Sequence, residues 1–158
     1  MRSSNLDHPI ASPLILLRDV GKRYRNSTVA LRGVDLTVGE HQFVSLLGPS
    51  GCGKSTVLRI IAGLGKPTTG ALAWPGEPNP EIGFVFQEPT LMPWATVFDN
   101  VYLPLKLKGQ PKADCAVRID DALATVGLDK FRDSYPRELS GGMKMRVSIA
   151  RAMVTQPA

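Results

Sequence analysis

Apolar positions along the chain change their period several times, and each change marks an element. Residues 14–20 form a short apolar run that reads as a strand. Residues 29–31 and 34–38 read as two further strands; in the second, Val34, Leu36 and Val38 alternate with Asp35 and Thr37, the mark of a half-buried strand. Gly39-Glu40 turns into residues 43–47, Phe-Val-Ser-Leu-Leu, which read as a buried strand. A helix is predicted over 56–64, ending near glycine, followed by a turn at 65–70 and a short strand at 71–74. Residues 75–80 hold three prolines and a glycine and read as loop; residues 82–86 then read as another buried strand, ending at Gln87. The second half turns to helical spacing. Residues 97–107 are apolar, with Pro104 expected to kink or end a helix there. In residues 112–126 Ala113, Ala116, Val117, Ala122, Leu123 and Val126 recur at helical spacing, closed by Gly127. A short helical segment follows at 128–135, broken by Pro136, and a last helix runs over 144–154 with Val147, Ile149, Ala150, Met153 and Val154 as its apolar face.

Between the strand at 43–47 and the helix after it stands Gly48-Pro49-Ser50-Gly51-Cys52-Gly53-Lys54-Ser55-Thr56, which fits G-x-x-x-x-G-K-[ST] without a mismatch. The pattern has a physical reason. A polyphosphate needs several backbone N–H groups aimed inward at once, and Gly48, Gly51 and Gly53 permit the backbone angles this requires. Lys54 supplies positive charge for the β- and γ-phosphates, and the Ser55 hydroxyl can complete the shell of Mg²⁺. The helix would aim the positive end of its dipole at the same group. Strand, glycine loop and helix in this order predict nucleotide phosphate binding in a P-loop core.

Composition narrows this little further. The chain has 158 residues, 43% hydrophobic and 21% charged, which suits one globular domain, taken as residues 14–158 behind a flexible leader at 1–13. The net charge of +5 is scattered, without a run of five or six like charges, so no nucleic-acid partner is expected. Cys52 and Cys115 have no metal-type spacing, and a disulfide inside the phosphate loop would hinder nucleotide binding, so both read as reduced and cytosolic. No apolar run approaches the ~18 residues of a membrane span, and the N-terminus shows no secretory signal.

Three further features carry candidate chemistry. Tyr24 reads either as an ordinary strand aromatic or as a ring on which adenine stacks. Gln87 is either a surface amide or, at a strand's carboxyl end, a neutral ligand to Mg²⁺ or an orienter of water. Leu139-Ser140-Gly141-Gly142-Met143 precedes the last helix; Ser140 is a natural N-cap, and two glycines at a helix start leave N–H groups for a second anion site.

Taken together, Gly48 to Thr56, Phe86-Gln87-Glu88-Pro89, and Leu139-Ser140-Gly141-Gly142 followed by Arg146-Val147-Ser148-Ile149-Ala150-Arg151-Ala152 resemble an ABC-transporter ATPase subunit, from about Leu14 to the last residue. The resemblance implies an α/β P-loop NTPase core with an antiparallel β subdomain and a helical subdomain, binding ATP and Mg²⁺. It implies that Tyr24 stacks on adenine, that residues 48–56 hold the phosphates, and that Gln87 is the Q-loop glutamine, which contacts Mg²⁺ beside Ser55 and senses the membrane partner. Two such subunits face each other head to tail, so Ser140, Gly141 and Gly142 would contact ATP in trans. The implied partners are that second subunit, a transmembrane permease and, indirectly, a periplasmic solute-binding protein. The implied location is the cytoplasmic face of the cell membrane, held there through the permease. Gln87-Glu88-Pro89-Thr90-Leu91-Met92-Pro93-Trp94, with Met143 where most relatives have Gln, resembles the branch importing nitrate, sulfonate or taurine.

The family's Asp-Glu strand, whose Asp supports Mg²⁺ and whose Glu polarises the attacking water, and its later switch histidine have no counterpart in residues 1–158; His8 and His41 both precede the P-loop. No catalytic base is therefore assigned here. The expected fold lacks its C-terminal strands, and these 158 residues alone are expected to expose apolar sheet edge and not to hydrolyse ATP. A longer subunit seen in part is the leading reading; the runner-up is a naturally truncated, non-hydrolysing nucleotide-binding or regulatory protein. A P-loop kinase or nucleic-acid motor would need other elements after Gln87.

Overall fold

A computed structural model of the protein describes residues 13–76 and 80–157; the expected leader falls almost wholly outside the described residues. The chain forms two compact units, Met1–Pro80 and Glu81–Ala158.

In the first unit, β1 (Pro13–Arg23) pairs antiparallel with β2 (Val29–Gly39) on one side and β3 (Thr69–Ala73) on the other. The two strands expected at 29–31 and 34–38 are one. Gly33, at φ +54°, is absorbed in a shift of register, Val34 lying opposite Val20 and Leu31 opposite Lys22, so the ladder bulges instead of breaking. Helix α1 (Lys54–Ile61) supplies Val57 and Ile60 to a small core with Leu17, Val20 and Leu31, all buried. The period-two pattern of Val34, Leu36 and Val38 is that of a sheet covered on one face, which is how it is used.

The expected strand at 43–47 is not formed. Phe43 is 95% and Leu47 78% exposed, and no described strand pairs with the segment. Residues 82–86 likewise form no strand, with Ile82, Val85 and Phe86 exposed. The reason is common to both. The β1–β2 pair closes over a short connection, whereas a buried strand of a parallel sheet exists only when a distant segment supplies its ladder. Among the described residues neither segment has such a neighbour.

The second unit is helical. Helix α2 (Val97–Leu107) buries Val97, Val101 and Leu105; α3 (Lys112–Thr125) buries Cys115, Ile119 and Leu123; α4 (Gly141–Met153) buries Val147 and Ala150. The i, i+4, i+8 series of α2 and α3 give each helix one apolar stripe, and the stripes meet with Leu128, Leu139 and Val154 in a single core. Pro104 does not end α2: the helix continues to Leu107. Pro104 cannot donate to the Asn100 carbonyl, a loss offset by Leu105, which is fully buried one residue later. The short helical segment expected over 128–135 shrinks to a single 3₁₀ turn, Asp129–Phe131. Pro136 starts a second one, Pro136–Glu138, in which the Glu138 carboxylate accepts from the Tyr135 N–H at 2.6 Å. Helix α4 begins three residues before its expected start, because Ser140 caps it and both glycines enter its first turn.

Candidate phosphate loop and double-glycine turn

Residues 48–56 wrap the start of α1. Gly53 is the N-cap at φ +101°, and a Cβ added there would lie 2.5 Å from Leu31 Cδ2 and 2.7 Å from the Ala30 carbonyl oxygen. The position therefore excludes a side chain twice, by backbone angle and by contact with β2. Gly48 and Gly51 also have positive φ, +152° and +80°. A Cβ on Gly48 would meet Cys52 Sγ at 2.8 Å, while one on Gly51 would meet nothing within 4 Å. The first helical hydrogen bonds run from the Thr56 and Val57 N–H groups to the Gly53 carbonyl at 2.9 and 3.0 Å. Upstream of them, the N–H groups of Gly51, Gly53, Lys54 and Ser55 find no acceptor among the described residues. These are the free donors of a helix N-terminus, with the positive end of the helix dipole behind them.

The Lys54 ammonium lies over the same loop, donating to the Gly48 and Pro49 carbonyls at 2.6 and 2.8 Å, with Cys52 Sγ at 3.4 Å. Pro49 and Ser50 complete the loop, Ser55 is exposed at the helix start, and Cys52 is an exposed free thiol. Tyr24 follows the end of β1 in the turn to β2, its N–H donating to the Thr28 carbonyl at 2.9 Å. Its hydroxyl lies 3.3 Å from Thr56 Oγ1; the residue is 41% exposed, with Lys22 Nζ 5.6 Å from the ring centroid. The tertiary fold thus joins Tyr24 to the phosphate loop across thirty-two residues of sequence.

The other candidates belong to the second unit. Gln87 is exposed in the loop that leads to α2. Two residues later that loop is fastened to α4. The Ser148 hydroxyl, buried, donates to the Pro89 carbonyl, and the Arg151 guanidinium donates to the Pro89 carbonyl at 3.1 Å, the Thr90 carbonyl at 3.0 Å and Thr90 Oγ1 at 2.9 Å. Burial pulls the Arg151 pKa below its ordinary value, since its partners are neutral oxygens and not a carboxylate. Asn100, fully buried on α2, holds the far side of the loop. It accepts from the Met92 N–H at 2.7 Å and donates to the Met92, Ala95 and Thr96 carbonyls at 2.9–3.1 Å. Sequence reasoning did not single out Asn100, Ser148 or Arg151 for these roles. An Asn, Ser or Arg on a helix has no pattern that announces which loop carbonyl it will meet.

At the start of α4 the Ser140 hydroxyl accepts from the Met143 N–H at 3.3 Å, the expected N-cap. Gly141 and Gly142 are exposed, and a Cβ on either would meet nothing within 4 Å. Their N–H groups find no acceptor among the described residues. Nothing inside the unit requires glycine here, in contrast to Gly53.

A glycine loop with free amides, a lysine over it and a following helix define a P-loop phosphate-binding protein. The chain belongs to the ABC transporter family, whose sequence pattern matches residues 31–158. It is 47% identical over 136 residues to an uncharacterized ABC transporter ATP-binding protein of Methanocaldococcus jannaschii, covering 84% of this chain and 51% of that protein. It is 45% identical over 145 residues to the aliphatic sulfonates import ATP-binding protein SsuB of Rhodopseudomonas palustris, covering 90% and 50%. The nitrate import ATP-binding protein NrtC of Synechocystis is 46% identical over 143 residues, covering 87% and 21%. Among solved structures, the dimeric bacterial ABC transporter cassette MJ0796 superposes with a TM-score of 0.82 at 37% identity, covering 90% of this chain and 70% of the cassette. The chain spans about half the length, or less, of these curated relatives.

Proposed function

We propose that residues 14–158 are the phosphate-holding and signature-bearing part of one nucleotide-binding domain, in the ATPase subunit of an ABC importer for a small anion such as a sulfonate or nitrate. The observation that carries this reading is the loop at 48–56. Its N–H groups at Gly51, Gly53, Lys54 and Ser55 are free, the Lys54 ammonium lies over the same loop on its Gly48 and Pro49 carbonyls, and Gly53 excludes a side chain; these are the donors a triphosphate would take. Tyr24, half exposed and bonded to Thr56, offers its ring face to the adenine.

The chemistry of the donors also fits Mg²⁺. The Ser55 hydroxyl is a neutral oxygen of the kind that ion takes alongside water and phosphate, and the Gln87 amide offers another of the same chemistry in its own unit. When bound, the ion neutralises charge on the β- and γ-phosphates. The chain's own residues do the rest that is assigned here. The loop amides and Lys54 bind and orient the triphosphate, and Ser55 holds a hydroxyl at the helix start. The exposed glycines of α4 would offer two more N–H groups to a second subunit's nucleotide in a head-to-tail dimer; MJ0796 was solved as a dimer.

The small-anion assignment is supported by residues 87–94, by Met143, and by the relatives named for sulfonate and nitrate import. Among the described residues no helix is long and apolar enough to cross a membrane, and a permease would provide the attachment to the inner face of the cell membrane. The test is nucleotide titration of the intact subunit against its Lys54→Ala variant. Losing a charged donor to phosphate corresponds to roughly 1.5–3 kcal/mol, or about a 10- to 150-fold weaker Kd for ATP. Equal affinity in the two proteins would overturn the assignment.

A further inference from the structure

We propose that Arg151, with Ser148, is a positioning residue that sets the turn following Gln87 and registers it to the helix bearing the double-glycine turn. Thr90 has φ +45°, a left-handed backbone that a β-branched residue resists. Such a conformation persists only when its surroundings over-determine it. Here they do: Arg151 takes the Thr90 carbonyl, the Thr90 hydroxyl and the Pro89 carbonyl with one guanidinium, and Ser148 adds a second donor to Pro89. The fork of a guanidinium suits this task because its N–H directions are fixed relative to one another. No carboxylate lies within ion-pair distance of Arg151 among the described residues, so its half-buried charge is spent on loop carbonyls and one hydroxyl.

The fastening is one-sided. From Pro89 to Thr96 the loop is held by α4 and, through Asn100, by α2. Gln87 and Glu88, immediately before it, make no side-chain hydrogen bond among the described residues. Gln87 and Glu88 therefore lie just outside the fastening, while residues 89–96 are tied to α4 and α2. Ser148 and Arg151 lie one turn apart on one face of α4, eight and eleven residues beyond Ser140, roughly 12–16 Å along a rigid helix. A shift of Ser140 to Gly142 is thus delivered to the Gln87 turn, and the reverse, through the contact of Arg151 with Thr90.

This inference rests on the ATPase reading for one of its two tests. The first needs no activity: amide hydrogen exchange of residues 90–92 in the intact subunit, wild type against Arg151→Met. Exchange is expected to rise at these amides and not in the α2–α3 core. Adding Thr90→Gly, which adopts positive φ without strain, should slow it again. The second is steady-state ATP hydrolysis by the assembled transporter. Arg151→Met should lower kcat roughly 10- to 100-fold, the scale of a misplaced catalytic geometry, with KM for ATP unchanged, and Thr90→Gly in that background should restore part of the loss. Should Arg151→Met fail to fold, Ser148→Ala serves in its place, with the same signs and smaller effects. Unchanged exchange, a rise confined to KM, or no recovery by Thr90→Gly overturns the proposal. A wild-type protein without ATPase activity would sink the functional reading while leaving the exchange result to stand for the clasp.

Discussion

Replacing Gly142 by alanine separates a glycine kept for the fold from one kept for what lies outside it. Gly142 is in the first turn of α4, exposed, and a Cβ there would meet nothing within 4 Å. Alanine in a helix interior is favoured over glycine by about 1 kcal/mol, and the first turn realises about half of that. For a domain of this size 1 kcal/mol moves Tm by roughly 2–4 °C, so Gly142→Ala should raise Tm by about 1–2 °C. If the exposed amides of this turn approach the nucleotide of a second subunit, the added methyl stands in that approach. ATP hydrolysis by the intact, assembled protein should then fall at least about tenfold, the cost of roughly 1.4 kcal/mol in the transition state. Binding of ATP to the isolated subunit, which depends on the other loop, should not change. Thermal melting, nucleotide titration and steady-state hydrolysis on one preparation make the comparison. A Tm lowered by several degrees would show that the glycine serves the fold, and full hydrolysis would show that the turn meets no ligand. Either result refutes the reasoning.

Two further outcomes follow from the geometry. Gly53→Ala meets both positive φ and overlap with Leu31 and Ala30, costing roughly 2–5 kcal/mol, whereas Gly51→Ala meets only its φ and costs about 1–2 kcal/mol; denaturant midpoints of the intact variants check the ordering. Asp99 is pushed up by burial, but its bonds to Lys112 and Thr96 outweigh this and leave its pKa below the ordinary 3.8. The stabilisation is therefore fully present above that ordinary value and is lost as pH falls through the lower folded one. Asp99→Asn should make stability fall less steeply below about pH 4 in acid titrations followed by circular dichroism, and an unchanged acid limb would contradict it.

Much of the phosphate loop was legible in the sequence because its requirements are local. Gly48, Gly51 and Gly53 take backbone angles that other residues resist, Lys54 is in reach of the loop it belongs to, and the helix that follows closes its own hydrogen bonds. The same holds for Ser140, whose hydroxyl caps the helix three residues away, and for the apolar series of α2, α3 and α4, where a 3.6-residue period is both the pattern and the structure. Even so, a local rule was overruled at Pro104, because burial of the next residue outweighed one missing hydrogen bond.

What only the tertiary structure decided is everything that depends on a distant partner. Residues 43–47 and 82–86 have the composition of buried strands, yet a strand is a property of two segments, and neither finds its second among the described residues. Tyr24 could be a plain strand aromatic until its hydroxyl meets Thr56. Arg151 and Thr90 stand sixty-one residues apart, and nothing in the spacing says that one holds the other's backbone in a left-handed turn. By itself the sequence determined the glycine loop, its lysine and the helix that follows, since neighbouring residues suffice to build a loop and a helix terminus. The fold decided which of its segments become strands and which side chains fix the loop after Gln87, because those are settled by contacts that chain-local geometry does not contain.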